Sequence, residues 1–519
     1  MFRSGFFVPL LIVLFSIKIM VKRLSKPLFV ICLTLAAYLS ANAQLAPKEG
    51  LAAIKETDLK TDLYTFAGDG FRGREFCSPD ELRAAVWLAD KMRATGMKPA
   101  GIDGTFFQFF NVRRDQLSAS SIIKIGDRNL TLWKDILTIE PFPSNIDADI
   151  IYIGKGTREA INSADLTGKV VALIPTYDDL DLNVAFPKVR FMQRLASLKY
   201  RSLLAEKKVK GIIFLASDEF TKTGWNEHVR VRFERGYYRL DNGLNSSAQN
   251  NLSIPAFWMQ DKDTELLKNE KIRFTANLTT DSYLYPSVNL IGKIEGTDLK
   301  LKNENVLITS HIDHMGVREP QNGDSIYNGA DDNGSAVVAM LAIARAYNKK
   351  PAKRSQLFIS FGSEEPYLFG STYYTQHPTI KKEDIVAVLN ADLIGRNAID
   401  SAAILGTQGP NNTSVLLTKM ALEANAEGPK FKLDTVWDNP NHKEGFLYRS
   451  DHAPFLKLGI PAVFYTSLLH PDYHTPKDDP EHIDYQKLRK VTEWMYRTSW
   501  KVSNTTEQPL INPAFKYRR

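Results

Sequence analysis

Cysteine is almost absent: Cys32 and Cys77 are the only two in 519 residues. A disulfide framework is excluded for the mature chain, because Cys32 lies in the N-terminal apolar region described below and Cys77 is left alone. With no histidine near it in sequence, Cys77 reads as a structural thiol rather than a nucleophile. A basic excess is lacking as well. The formal charge of +7 owes five positive residues to the first 43 positions (Arg3, Lys18, Lys22, Arg23 and Lys26), which hold no acid; without them 61 basic residues face 59 acidic ones, a balance of +2. That excludes the basic stripe of a nucleic-acid binder, so no nucleic-acid partner is expected. No apolar run approaches the roughly 20 residues that a membrane span requires. There is no internal repeat, no low-complexity segment beyond the N-terminal region and no HExxH sequence, so the single-zinc endopeptidase helix has no support.

What the N-terminus does hold is a targeting segment. Lys22, Arg23 and Lys26 precede an apolar run at 27–39, and Ala41-Asn42-Ala43 forms a small-x-small site before Gln44. Residues 1–43 are therefore expected to be a signal peptide cleaved near Ala43, leaving a secreted or periplasmic protein with no stable membrane insertion. A second apolar run at 6–17 lies upstream, and Met20 between the two is the expected start of translation. Cys32 follows Ile31, too bulky for lipoprotein processing, so no lipid anchor is expected.

The length exceeds that of a single core, so two or more domains are expected. The boundaries read as 44–140 for the N-terminal part of a main domain, 141–286 for an inserted smaller module and 287–519 for the rest of the main domain. Amphipathic spacing predicts helices at 59–66 and 81–95. Buried-strand candidates in the inserted block fall at 149–153, 169–174, 209–216 and 254–258, with a basic helical stretch at 189–208, a mixed polar and aromatic segment at 227–238 and an Asn/Ser-rich loop at 242–251. From 288 onward strand alternates with helix, which predicts an α/β fold with a mostly parallel central sheet flanked by helices.

The chemistry concentrates in one β-loop-α-β unit. Apolar strands at 306–309 and 357–361 flank a helix at 335–347. His311 and Asp313 follow the first strand, Asp331 and Asp332 open the helix, and Glu364 and Glu365 follow the second strand. Two further groups join this rim: Asp392 after a strand at 385–391, and His474 beyond a strand at 462–466. In an open parallel sheet, chemistry collects past the carboxyl ends of the strands. His311, Asp331, Glu365, Asp392 and His474 make a ligand set for two divalent ions sharing one carboxylate, since one zinc is satisfied by three protein ligands. A bland reading exists for each residue: acids cap helix N-termini, and a lone histidine is more often a core or surface residue. His314 and His482 are not expected to be ligands. Ser450-Asp451-His452 are too close in sequence to form a spaced triad.

The succession SHID, NGADDNGS, SEE, NADLIG, YRSDHAPF and DYHT resembles the co-catalytic di-zinc exopeptidase family of bacterial leucyl aminopeptidases, glutamate carboxypeptidases and glutaminyl cyclases. The resemblance covers roughly 50–130 and 287–503, and DADIIYIGKG with LTGKVVALI resembles an inserted protease-associated domain. It implies two zinc ions per chain, with Asp331 bridging, His311 and Asp392 completing one site, and Glu365 and His474 completing the other. It further implies Asp313 as the acid that orients the His311 imidazole, Glu364 as general base, and Tyr473, in preference to Tyr448, as a donor to the scissile carbonyl. The implied activity is aminopeptidase hydrolysis of peptide substrates. The alternatives are a glutamate-releasing carboxypeptidase, for which Arg396 would bind a terminal carboxylate, a glutaminyl cyclase, or a non-catalytic receptor-like relative.

Overall fold

The computed structural model describes residues 45–138, 143–177, 188–216, 225, 236–241, 254–260, 264–268 and 272–518. The signal-peptide reading of 1–43 and the 242–251 loop lie outside these, as does most of 227–238. Among the described residues no helix is long and apolar enough to cross a membrane.

A ten-stranded sheet carries the site, in the order Lys432–Asp434, Ser401–Leu405, Ala462–Thr466, Ile385–Ala391, Asn305–His311, Ser355–Phe361, Thr280–Ile294, Phe107–Leu117 and Tyr237–Leu240, with Lys98–Pro99 pairing beside Thr280–Ile294. The four central strands, from Ala462–Thr466 to Ser355–Phe361, run parallel. Antiparallel strands extend the sheet on both sides. Every residue of the strands Asn305–His311, Ser355–Phe361 and Ile385–Ala391 is buried, which is why their sequences are apolar runs rather than alternations.

The helix Ala336–Lys349 follows the same logic. It is apolar nearly all round because it is enclosed, packed on the sheet and against the helices Glu56–Phe66 and Tyr485–Asn504. Ser78 caps the helix Pro79–Ala94, its hydroxyl accepting from the Asp80 and Glu81 amides at 3.1 and 3.3 Å. On the far face a second apolar cluster includes Phe361, Phe455 and Phe464, and the chain's tail returns to it through buried Phe515.

A second sheet of eight strands gathers 122–125, 128–130, 136–138, 144–155, 170–174, 211–216, 256–260 and 273–278. It begins at Ile122, ahead of residue 141, so three short strands that the sequence placed with the main domain belong to it. Tyr237–Leu240 does the reverse: it leaves that block and pairs with Phe107–Leu117 at the edge of the main sheet. Nothing local in its sequence encodes so distant a partner.

Candidate metal centre

Two loops meet over the carboxyl ends of the central strands, and one buried cation fastens them. The Arg74 guanidinium donates to the Ile312 carbonyl from Nε (2.9 Å), to Phe66 and Asn328 from Nη1 (3.1 and 2.6 Å) and to Gly329 from Nη2 (2.9 Å). One target lies between His311 and Asp313, and two precede Asp331 and Asp332. Arg74→Met is expected to lower stability by about 3 kcal/mol or more, because four buried carbonyls lose a donor at roughly 1 kcal/mol or more each. Thermal unfolding of the two proteins checks this, and an unchanged Tm would mean that the loops hold without it.

Asp332 stands between the histidines. Its Oδ1 lies 3.3 Å from His311 Nε2 and its Oδ2 lies 3.1 Å from His474 Nε2. Around His311 are also Asp392 at 3.4 Å and Glu364 at 3.9 Å. Around His474 is Glu365 at 3.2 Å. His314, not expected among the ligands, completes this second group, with its Nδ1 2.9 Å from Glu365 Oε1.

Asp331, the expected bridge, points elsewhere. Its Oδ1 accepts from the Gly395 amide and its Oδ2 lies 3.5 Å from His470 Nε2. The reason is local: Asp332 is extended rather than helical, at φ −103° and ψ 93°, so adjacent side chains diverge. Asp478 fixes that choice by accepting from the amides of Asp331 and Asp332 at 2.9 and 3.0 Å.

Asp313 keeps its carboxylate 3.9 Å from His311 Nδ1 but makes its hydrogen bonds elsewhere. Its carboxylate accepts from the amides of Glu364 and Glu365 at 2.9 and 3.2 Å, and so pins the turn bearing both acids. The His311 imidazole is oriented by the Asp313 main-chain carbonyl, 3.1 Å from Nδ1, which leaves Nε2 facing the carboxylates. On the other side of the turn buried Glu81 accepts from the Ser363 amide at 3.0 Å and the Ser287 hydroxyl at 2.9 Å.

Burial, and then the charges of Asp451, Asp392 and Glu365, push the Glu364 carboxyl above its usual range, although His311 opposes them. Asp332, just as buried, is held low by the adjoining imidazoles of His311 and His474. Tyr473 stacks on His474, with ring centroids 3.8 Å apart, and its hydroxyl accepts from Arg449 Nη2 at 3.3 Å. Burial raises its pKa, which keeps it a donor. Tyr448 instead packs edge-on against Tyr517 of the tail.

Three other sequence candidates resolve as structural. Arg396 is engaged by Asp472. His452 is buried, with Nε2 donating to the Leu447 carbonyl, while Ser450 accepts from Asn390, so no triad relay exists. Cys77 is buried against the Ser363 hydroxyl at 3.4 Å, and burial raises its thiol pKa.

The donor set fits divalent metal. His311 Nε2, both His314 ring nitrogens, Glu365 Oε1 and Asp392 Oδ1 are buried with no hydrogen-bond partner, a costly state unless something else satisfies them. Imidazole mixed with carboxylate is zinc's preferred chemistry. Of the seven clustered groups, five (His311, Glu364, Glu365, Asp392 and His474) are residues that the sequence reading assigned a role, while Asp332 and His314 were not expected among the ligands. The DD pair marked the first only to within one residue, and the HxDH spacing was the available signal for the second.

The sequence profile of peptidase family M28 matches residues 289–499. Aminopeptidase YwaD of Bacillus subtilis is 25% identical over 268 residues, covering 50% of this chain and 54% of that protein. A probable leucine aminopeptidase of Arthroderma benhamiae is 25% identical over 278 residues, covering 50% and 69%. The matched segment thus spans about half the length of the Bacillus relative. Among solved structures, an aminopeptidase from Aneurinibacillus sp. strain AM-1 aligns with a TM-score of 0.54 at 19% identity, covering 91% of this chain and 99% of that one. A zinc aminopeptidase from Bacillus subtilis aligns at 0.52 and 18%, covering 88% and 97%. These likenesses establish the fold.

Proposed function

We propose that this chain, whose residues 289–499 match the profile of peptidase family M28, is a secreted di-zinc aminopeptidase that removes N-terminal residues from peptides. The observation that carries the reading is Asp332, whose two oxygens each face a different histidine across a field of unpartnered ligand atoms. In this assignment Asp332 replaces Asp331 as the bridge. His311 and Asp392 complete one site, and Glu365 and His474 the other.

When bound, the two ions lower the pKa of a water towards about 7 and polarise the scissile carbonyl. Glu364 would take a proton from the attacking water on its carboxylate as the water oxygen adds to the carbonyl carbon, and would pass it to the leaving amine as the C–N bond breaks. Tyr473, its ring seated on His474 and its oxygen on Arg449, donates to the carbonyl oxygen as negative charge develops there. Asp313 does not touch substrate. It holds the amides of Glu364 and Glu365 and thereby fixes base and ligand relative to each other.

The preference for an amino terminus is supported by the aminopeptidase names of the relatives. It is supported also by Arg396 and Arg449, each engaged by an acid (Asp472 and Glu444), where a carboxypeptidase would need a cation for its substrate's carboxylate. The second sheet, proposed to be a protease-associated module, contributes none of the clustered ligand groups among the described residues. Secretion rests on the sequence of residues 1–43.

A panel of aminoacyl anilides, N-acetylated peptides and C-amidated peptides tests the reading. Hydrolysis of the first and third with no turnover of the second is expected. Equal turnover of N-blocked peptides would overturn it.

A further inference from the structure

The second histidine of the His311-Ile312-Asp313-His314 run is unused by the assignment above, yet it is wholly buried and aimed into the centre. His314 Nδ1 sits 2.9 Å from Glu365 Oε1 and 3.9 Å from Asp332 Oδ2. At that distance neither His314 Nδ1 nor Glu365 Oε1 has a well-aligned hydrogen-bond partner. Both atoms belong to one cluster of ligand atoms, with Asp332 and His474, close enough together to face a common ion. The His314 and His474 rings converge from two sides, with centroids 5.5 Å apart and planes inclined at 74°.

The seat of the ring is built. The His314 amide donates to the Arg74 carbonyl at 3.0 Å. Gly329, in the left-handed region at φ 62°, leaves the space the imidazole fills: a Cβ there would lie 2.5 Å from the ring's Cγ and Cδ2. Both ring nitrogens are unpartnered at zero exposure, a costly state for a ring that merely fills a cavity.

We infer that His314 is a fourth protein ligand, through Nδ1, of the ion held by Asp332, Glu365 and His474. The inference rests on the two-metal reading and makes the two ions unequal. Four protein ligands close a zinc site in the manner of structural sites, whereas His311, Asp332 and Asp392 leave their ion an open position. The ion at His314 is the retained one, and its neighbour is the exchangeable one that presents the open position to water and substrate.

Zinc content during dialysis against rising chelator tests this. The native protein is expected to pause near one ion per chain. In His314→Gln the pause should vanish, with the affinity of the retained ion falling by more than the roughly 10–100-fold that loss of an outer supporting group costs. A second variant reads coordination directly. Cobalt-loaded His314→Cys should show a thiolate-to-metal charge-transfer band with the first equivalent, absent from the cobalt-loaded native protein, whose Cys77 lies buried on Ser363. That arm decides the matter if His314→Gln folds poorly. Native-like retention in His314→Gln together with no band in His314→Cys would overturn the inference while leaving two bound ions, and hence the peptidase reading, intact. A native protein that binds no divalent metal would overturn both.

Discussion

Asp332→Ala is expected to empty the His311 position, weaken the His474 position and abolish turnover, whereas Asp331→Asn, one residue away, is expected to leave both ions bound. The contrast follows from where the two carboxylates point. Removing Asp332 leaves His311 and His474 without the group that faces both, so neither position keeps its shared ligand. Lewis-acid assistance supplies several kcal/mol and each ~1.4 kcal/mol is tenfold in rate, so the loss in kcat/KM should be at least about a thousandfold. Asp331 touches the Gly395 amide and His470 instead. An asparagine there keeps an oxygen for Gly395, and the expected loss is on the order of the 10–100-fold that outer supporting groups contribute. Metal content by mass spectrometry beside peptide hydrolysis separates the two. If Asp331→Asn lost both ions and Asp332→Ala kept them, the bridge would have to be reassigned.

The second large effect is expected at Glu364. Glu364→Gln should cost about 10²–10⁴ in kcat, the range of a positioned general base, with both ions retained. Glu364 stands 3.9 Å from His311 Nε2, farther than Asp332 or Asp392, and its amide is held by Asp313 whichever side chain it bears. Loss of one ion together with turnover would make Glu364 a ligand of the His311 site rather than the base. Retention of more than a tenth of native turnover would remove it from either role.

The contrast between Asp331 and Asp332 also marks where the sequence ran out. Strand ends and helix starts were legible because burial writes itself into composition: the apolar runs at 306–309 and 357–361 became the cores of Asn305–His311 and Ser355–Phe361, and the helix read at 335–347 is Ala336–Lys349. The convergence of His311, Glu365, Asp392 and His474 followed from those ends. Which of two neighbouring aspartates faces inward did not, because it depends on a non-helical turn fixed from 146 residues away by Asp478. The same holds for Arg74, whose four carbonyl targets span residues 66 to 329. His314 looked expendable because a two-site peptidase pattern was already complete without it. The seat that Gly329 leaves for its ring exists only in three dimensions. The tail after the helix Tyr485–Asn504 carried no periodic signal, yet Phe515 is buried and Tyr517 packs on Tyr448.

The pairing of Tyr237–Leu240 with Phe107–Leu117 bears on how this polypeptide is to be dissected. A deletion of 141–286 drawn from sequence alone would remove that border strand and half of the long Thr280–Ile294 strand, stripping residues 112–115 of the neighbour that covers their amides and carbonyls. Such a truncate would present bare β-edge to other copies of itself and precipitate for reasons unrelated to catalysis. Trimmed versions that spare 237–240 and all of 280–294 are the ones from which the contribution of the smaller sheet can be measured.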